Sequence, residues 1–144
     1  MVLKNIYLKE KIVNHITKKG KKEISEKLFF KSLKLNQKSS LKDFNKMVKL
    51  AILHASPIIT VKRLQKNKRK SKEFPFIVQK RIRMFLAINL IISYARNKRT
   101  GFTDCLNEEI TNSASNNSFM LRNMNENQEN HLNLKKYVYY RWLF

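Results

Sequence analysis

The chain has 144 residues, 42% of them hydrophobic, enough for one modest core if nearly the whole chain joins it. Thirty-one Lys and Arg against ten Asp and Glu leave a formal charge of +21, far beyond the magnitude of about 2 to 8 that suits a small soluble domain. The single cysteine, Cys105, excludes an intrachain disulfide and a cysteine-based zinc site, and the scattered His15, His54 and His131 lack metal-ligand spacing, so neither metal nor cofactor is expected.

In chain order, Leu8, Ile12, Val13 and Ile16 predict a short first helix over 8–17, stopped near Gly20. A second helix is expected over 21–35, with Ile24, Leu28 and Leu35 on one stripe beside Phe29, and polar Asn36 to Ser39 should break it. Ser40 and Asp43 have the form of a capping box ahead of Leu41, Phe44, Val48, Ala51, Ile52 and Ala55, the stripe of a third helix that Pro57 ends. Between about 58 and 79 the period changes. Alternating Ile58–Leu64, polar Gln65–Lys72 and extended Phe74–Val78 predict a β-hairpin, with Pro75 at a position that owes the ladder no donor. A lone two-stranded ribbon is marginal in water, so helices should hold its base and a partner its tip. The run from Lys80 to Asn97 is apolar nearly all round and reads as the central core helix. Its apolar centre, Met84 to Ala95, is about a dozen residues, short of the roughly 20 that cross a membrane, and no membrane partner is expected. Phe102, Leu106, Ile110 and Ala114 mark a fifth helix, with Cys105 in helix packing. Residues 112–144 read as a polar linker over 112–118, then a weak exposed helix or loop over 119–133, then an aromatic tail. The expected fold is mainly α: a single domain, residues 1–144, of five to six helices with a projecting two-stranded β-hairpin.

The charge is lopsided. Residues 1–100 hold 27 basic and 5 acidic residues, net +22, whereas residues 101–144 hold 4 and 5, net −1. Self-repulsion on that scale calls for a polyanion, and basic residues interleaved with Ile, Leu, Phe and Val indicate a folded surface in place of a disordered tail. Four groups are candidate phosphate contacts. Lys18, Lys19, Lys21 and Lys22 flank Gly20 in a turn. Lys62, Arg63, Lys66, Lys68, Arg69, Lys70 and Lys72 make the hairpin a positive finger, able to meet the wide RNA minor groove by shape. Lys80, Arg81 and Arg83 open the fourth helix. Arg96, Lys98 and Arg99 close it, where they also complement the helix dipole and are the weaker candidates.

Catalysis finds no support: there is no GxSxG, Walker loop or HExxH, and only two glycines. Glu108 and Glu109 are adjacent and diverge by about 100° on a helix, so they cannot face one another as an acid–base pair. The chain reads as an RNA-binding structural protein and not an enzyme; the alternative is a basic nucleoid or other DNA-binding protein, although no helix-turn-helix with base-reading side chains is evident.

The order of these elements resembles the bacterial-type small-subunit ribosomal protein family number seven. Gly20-Lys21-Lys22 leading into Glu26-Lys27, Ala51 to Pro57 before a strand, Phe74-Pro75 in the return strand, Lys80-Arg81 to Arg99 as the fourth helix and Tyr140-Arg141-Trp142 carry the likeness, over about residues 10–142. The hairpin tip departs from the family pattern, with Asn67 to Ser71 where glycines are usual. The resemblance implies binding to the 3′ major domain of small-subunit rRNA, support for assembly of the subunit head, and a hairpin near the tRNA exit site and the mRNA path. It implies head and platform proteins, exit-site tRNA and mRNA as partners. Abundant Lys, Asn, Ile and Phe, with codons rich in adenine and thymine, suggest an AT-biased genome such as an organelle's, and the expected location is the mitochondrial matrix ribosome, with a plastid or bacterial cytoplasm as the alternative. With no secretory or transit signal evident, an organelle location calls for local synthesis, prior removal of a leader or an unusual import signal.

Overall fold

The computed structural model describes residues 2–39, 44–67 and 70–134. Six helices and one antiparallel hairpin follow in the order α1 (Val2–Ile16), α2 (Lys22–Ser39), α3 (Phe44–His54), β1 (Ile59–Asn67), β2 (Lys70–Ile77), α4 (Lys80–Asn97), α5 (Phe102–Ala114) and α6 (Phe119–Asn133). The expected mainly α body with a β-hairpin is what forms. The Ser40–Asp43 capping box, hairpin residues Lys68 and Arg69, and the tail from 135 onward lie outside the described residues.

Helix α1 buries Ile12, Val13 and Ile16 and stops where Lys19 (φ 53°) and Gly20 (φ 73°) both turn left-handed. No atom lies within 4 Å of a Cβ built on Gly20, so the dihedral and not crowding selects glycine there. Several boundaries differ from expectation: the hairpin strands extend to Asn67 and from Lys70, and α5 runs on to Ala114, where a linker was expected from 112. α1 begins at Val2 instead of residue 8, and α2 continues through Asn36 to Ser39 instead of breaking. The polar stretch Asn36–Ser39 contains neither Gly nor Pro, so weak helix propensity is not enough to end a helix already under way.

One cluster of buried side chains draws on all six helices, including Ile12 and Val13 (α1), Phe29 (α2), Val48 and Ile52 (α3), Ile88 and Ile92 (α4), Leu106 and Ile110 (α5), and Met120 and Leu121 (α6). Each fully buried Ile or Leu in it contributes roughly 2 kcal/mol. The central role is shared differently from the expectation. α4 buries one stripe, Ala87, Ile88, Ile91, Ile92 and Ala95, while Ile82 and Phe85 are about half exposed. The inner helix is α5, packed against α2, α3 and α4. Its buried residues include Thr103, Glu109 and Ser113, polar groups that mask its position in the sequence.

Residues 119–133, left open between helix and loop, form α6, with Met120 and Leu121 buried. Ser118 caps it: its hydroxyl accepts from the Met120 amide at 3.1 Å.

The hairpin pairs Ile59 with Ile77 through Gln65 with Ser71. The Val78 amide donates to the Ile58 carbonyl at 3.0 Å, which makes that rung hydrogen-bonded and, by alternation, Ile59–Ile77, Val61–Pro75 and Arg63–Glu73 non-bonded. Pro75 therefore owes the ladder no N–H, as expected. The register shifts between Gln65 and Asn67, where Lys66 is the extra residue of a bulge. β1 packs against α6 at the base, and Arg83 Nε donates to the Val78 carbonyl at 2.8 Å, tying the return strand to α4.

Candidate nucleic-acid interface

The structure gathers the candidate cations at the two ends of α4, whose 18 residues span about 27 Å. At its amino end, Lys80 and Arg81 are exposed and Arg83 is half-buried against the hairpin. This first turn contains no acidic residue, and Gln79 makes no side-chain cap. Cations beside the positive pole of a helix dipole oppose it by about 0.3–1 kcal/mol each, so the local sequence favours a positive potential over helix stability. The hairpin leads out from the same end. Lys62 and Arg63 are exposed on β1, and Lys66, Lys70 and Lys72 lie on its strands.

Arg63 faces Glu73 across a non-bonded rung, where side chains approach most closely, and their Nε and Oε1 atoms are 2.6 Å apart. Arg63 is 78% exposed, so the pair adds little stability, but it occupies one cation of the finger.

At the carboxyl end the cations divide by role. Arg96 Nη2 donates to the carbonyls of His15 (3.1 Å) and Ile16 (2.9 Å), capping the end of α1. Lys98 Nζ lies 2.9 Å from Glu108 Oε2 and 3.0 Å from Glu109 Oε1. The Glu108 hydrogen bond, outweighing partial burial, and then Glu109 raise the Lys98 ammonium above its ordinary 10.5. Arg99 is exposed. Two of these three cations are thus committed within the fold, which the sequence hides because their partners come from α1 and α5.

The α1–α2 turn stands beside that end. Lys18, Lys19, Lys21 and Lys22 are all exposed, and among the described residues only Lys22 approaches an acid, Glu26, at 4.0 Å. Lys18 and Lys21 line a recess of about 390 Å³ together with Arg96 and Lys98. His15, stacked edge-on with Phe85 at 4.6 Å, sits close by. Burial first, then the charge of Lys11, hold its imidazole below the ordinary 6.5; a hydrogen bond with Asn89 acts the other way and the charge of Arg96 adds to the lowering. It is therefore neutral at pH 7.

Further cations belong to the same surface count. Lys31 and Lys34 are exposed on α2 with Lys27 one turn before them, a 4-then-3 spacing that places all three on one helix face. That spacing is legible in the sequence. Lys9 lies 4.0 Å over the Phe30 ring and Lys11 4.6 Å over Tyr7, so these two are held by cation–π contacts. Among the described residues, no His, Cys, Asp and Glu cluster could hold a metal ion, and no helix is long and apolar enough to cross a membrane.

A helical body with a basic hairpin and cations concentrated at both ends of one helix has the surface chemistry of a structural protein suited to nucleic acid phosphates. The family model described as ribosomal protein S7p/S5e matches residues 3–129, and the chain belongs to that family. It is similar to the small ribosomal subunit protein uS7 of Thermomicrobium roseum, 26% identical over 137 residues that cover 94% of this chain and 86% of the relative. It is also 30% identical over 99 residues to the small ribosomal subunit protein uS7c of Pleurastrum terricola, covering 69% of this chain and 63% of that protein. Membership makes the chain a structural, non-enzymatic protein of the small ribosomal subunit, with a role in translation.

Proposed function

We propose that the chain, acting as one domain, binds the 3′ major domain of small-subunit rRNA and supports assembly of the subunit head, with its hairpin directed toward the tRNA exit site and the mRNA path. The observation that carries this reading is the placement of cations at both ends of α4: the hairpin with Lys80 and Arg81 at one, the α1–α2 turn with Arg99 at the other. The near-neutral charge of the carboxyl third suits contact with proteins, such as those of the head and platform, or with solvent, in place of RNA. The AT-biased composition supports a mitochondrial ribosome, while the relatives named above are a bacterial and a plastid-type protein.

The test is a binding comparison between transcripts of the 3′ major domain and of the 5′ domain at matched salt, with duplex DNA as competitor. The 3′ transcript should win by at least tenfold. Equal affinity for all three would leave only general polyanion binding and end the assignment.

A further inference from the structure

The recess at the carboxyl end of α4 combines two chemistries. Its apolar lining comes from Ile16, Ile24, Leu28, Ala95 and Phe102, and its cationic lining from Lys18, Lys21, Arg96 and Lys98. Ile24 at its edge is 52% exposed, although it belongs to the stripe expected to face the core. At about 390 Å³ the space lies at the small end of the roughly 300–1,000 Å³ typical of small-molecule sites.

The walls are braced before any ligand arrives. Arg96 is fixed by its two bonds to the end of α1, Lys98 by Glu108 and Glu109, and the Ser25 hydroxyl donates to the Lys21 carbonyl at 3.1 Å. The ammonium groups of Lys18 and Lys21 make no ion pair among the described residues. A bare anion has no use for an apolar lining, and an apolar side chain has none for the ammonium groups of Lys18 and Lys21. A nucleotide offers a flat face of low polarity and a phosphate together.

We propose that this recess takes one unstacked nucleotide of the bound RNA, its base against Ile24, Leu28 and Phe102 and its phosphate between Lys18 and Lys21. This rests on the RNA-binding reading above and specifies what that surface recognises: a bulged or looped-out residue beside a helix. Recognition by stacking is tolerant of base identity, so the recess selects an extruded nucleotide and not a sequence.

The full chain is to be titrated with a short RNA duplex carrying one bulged 2-aminopurine nucleotide, and with the same duplex lacking the bulge. The bulged RNA should bind about tenfold more tightly, the scale of one base stack, and its fluorescence should change on binding. Ile24→Lys replaces apolar wall with another cation: the bulge preference and the fluorescence change should vanish while affinity for the plain duplex stays equal or rises. Leu53→Lys adds the same charge on α3, where Leu53 is 66% exposed, and should keep the preference. Circular dichroism melts of both variants establish that each is folded. A wild-type protein that binds both RNAs equally, or an Ile24→Lys variant that keeps its preference, would overturn the recess while leaving RNA binding intact. Failure to bind either RNA would overturn the underlying reading and the recess with it.

Discussion

Glu109 is 4% exposed, yet its carboxylate accepts from two directions: Lys98 Nζ at 3.0 Å on one oxygen and the Ser118 hydroxyl at 2.9 Å on the other. Because the Ser118 oxygen in turn accepts from the Met120 amide, one buried acid connects the exit of α4, the middle of α5 and the start of α6. Glu109→Ala should therefore cost about 1–3 kcal/mol in urea unfolding, with Glu109→Gln intermediate because its amide can still meet Ser118. Lys98, held above 10.5, adds stability that is present below that pH and lost as pH rises through its folded value. The effect of the alanine variant should thus be constant across the neutral range. Nothing in the Glu108-Glu109 dipeptide distinguishes a buried brace from a solvated pair; the distinction comes from Lys98 and Ser118, each about ten residues away in sequence.

Among the elements, those with strong local signals were legible and those built by partners were not. The apolar run of α4 and the outer ends of the hairpin were set within a residue or two, whereas the strands run three to four residues further toward the tip than the alternation suggested. Pro75 falls on a non-bonded rung because only that register spares its missing donor. The inner position of α5 was hidden by buried Thr103, Glu109 and Ser113, and α6 by having only Met120 and Leu121 in the core. Of the candidate interface, the positions of the cations could be read directly. Their division into committed and available groups could not, since Arg96 and Lys98 are claimed by backbone and acids from other helices. The hairpin carries the test at this scale. Changing Lys62, Lys66, Lys70 and Lys72 to Ser should reduce the slope of log affinity against log salt by about 3 to 4 if all four meet duplex phosphates. Arg63 is left in place because Glu73 already holds it. An unchanged slope would remove the finger from the interface.

For the whole molecule, a charge of +21 on 144 residues makes salt act in opposite senses on folding and on binding. Screening relieves repulsion within the free protein, so its melting temperature should rise between about 0.05 and 0.5 M NaCl, while affinity for RNA falls over the same range. A melting temperature that dropped with salt would show that attractive pairs such as Lys98–Glu108 outweigh the repulsion. The ribbon has a consequence of its own. A sheet of two strands consists only of edges, each with backbone groups ready to recruit another strand, and such edges are where chains begin to aggregate. Here each strand carries two lysines, Lys62 and Lys66 on β1 and Lys70 and Lys72 on β2, and the register is interrupted at Lys66, two features that should oppose edge-to-edge pairing of two copies. The charges proposed to meet a transcript should thereby also oppose self-association of the free chain.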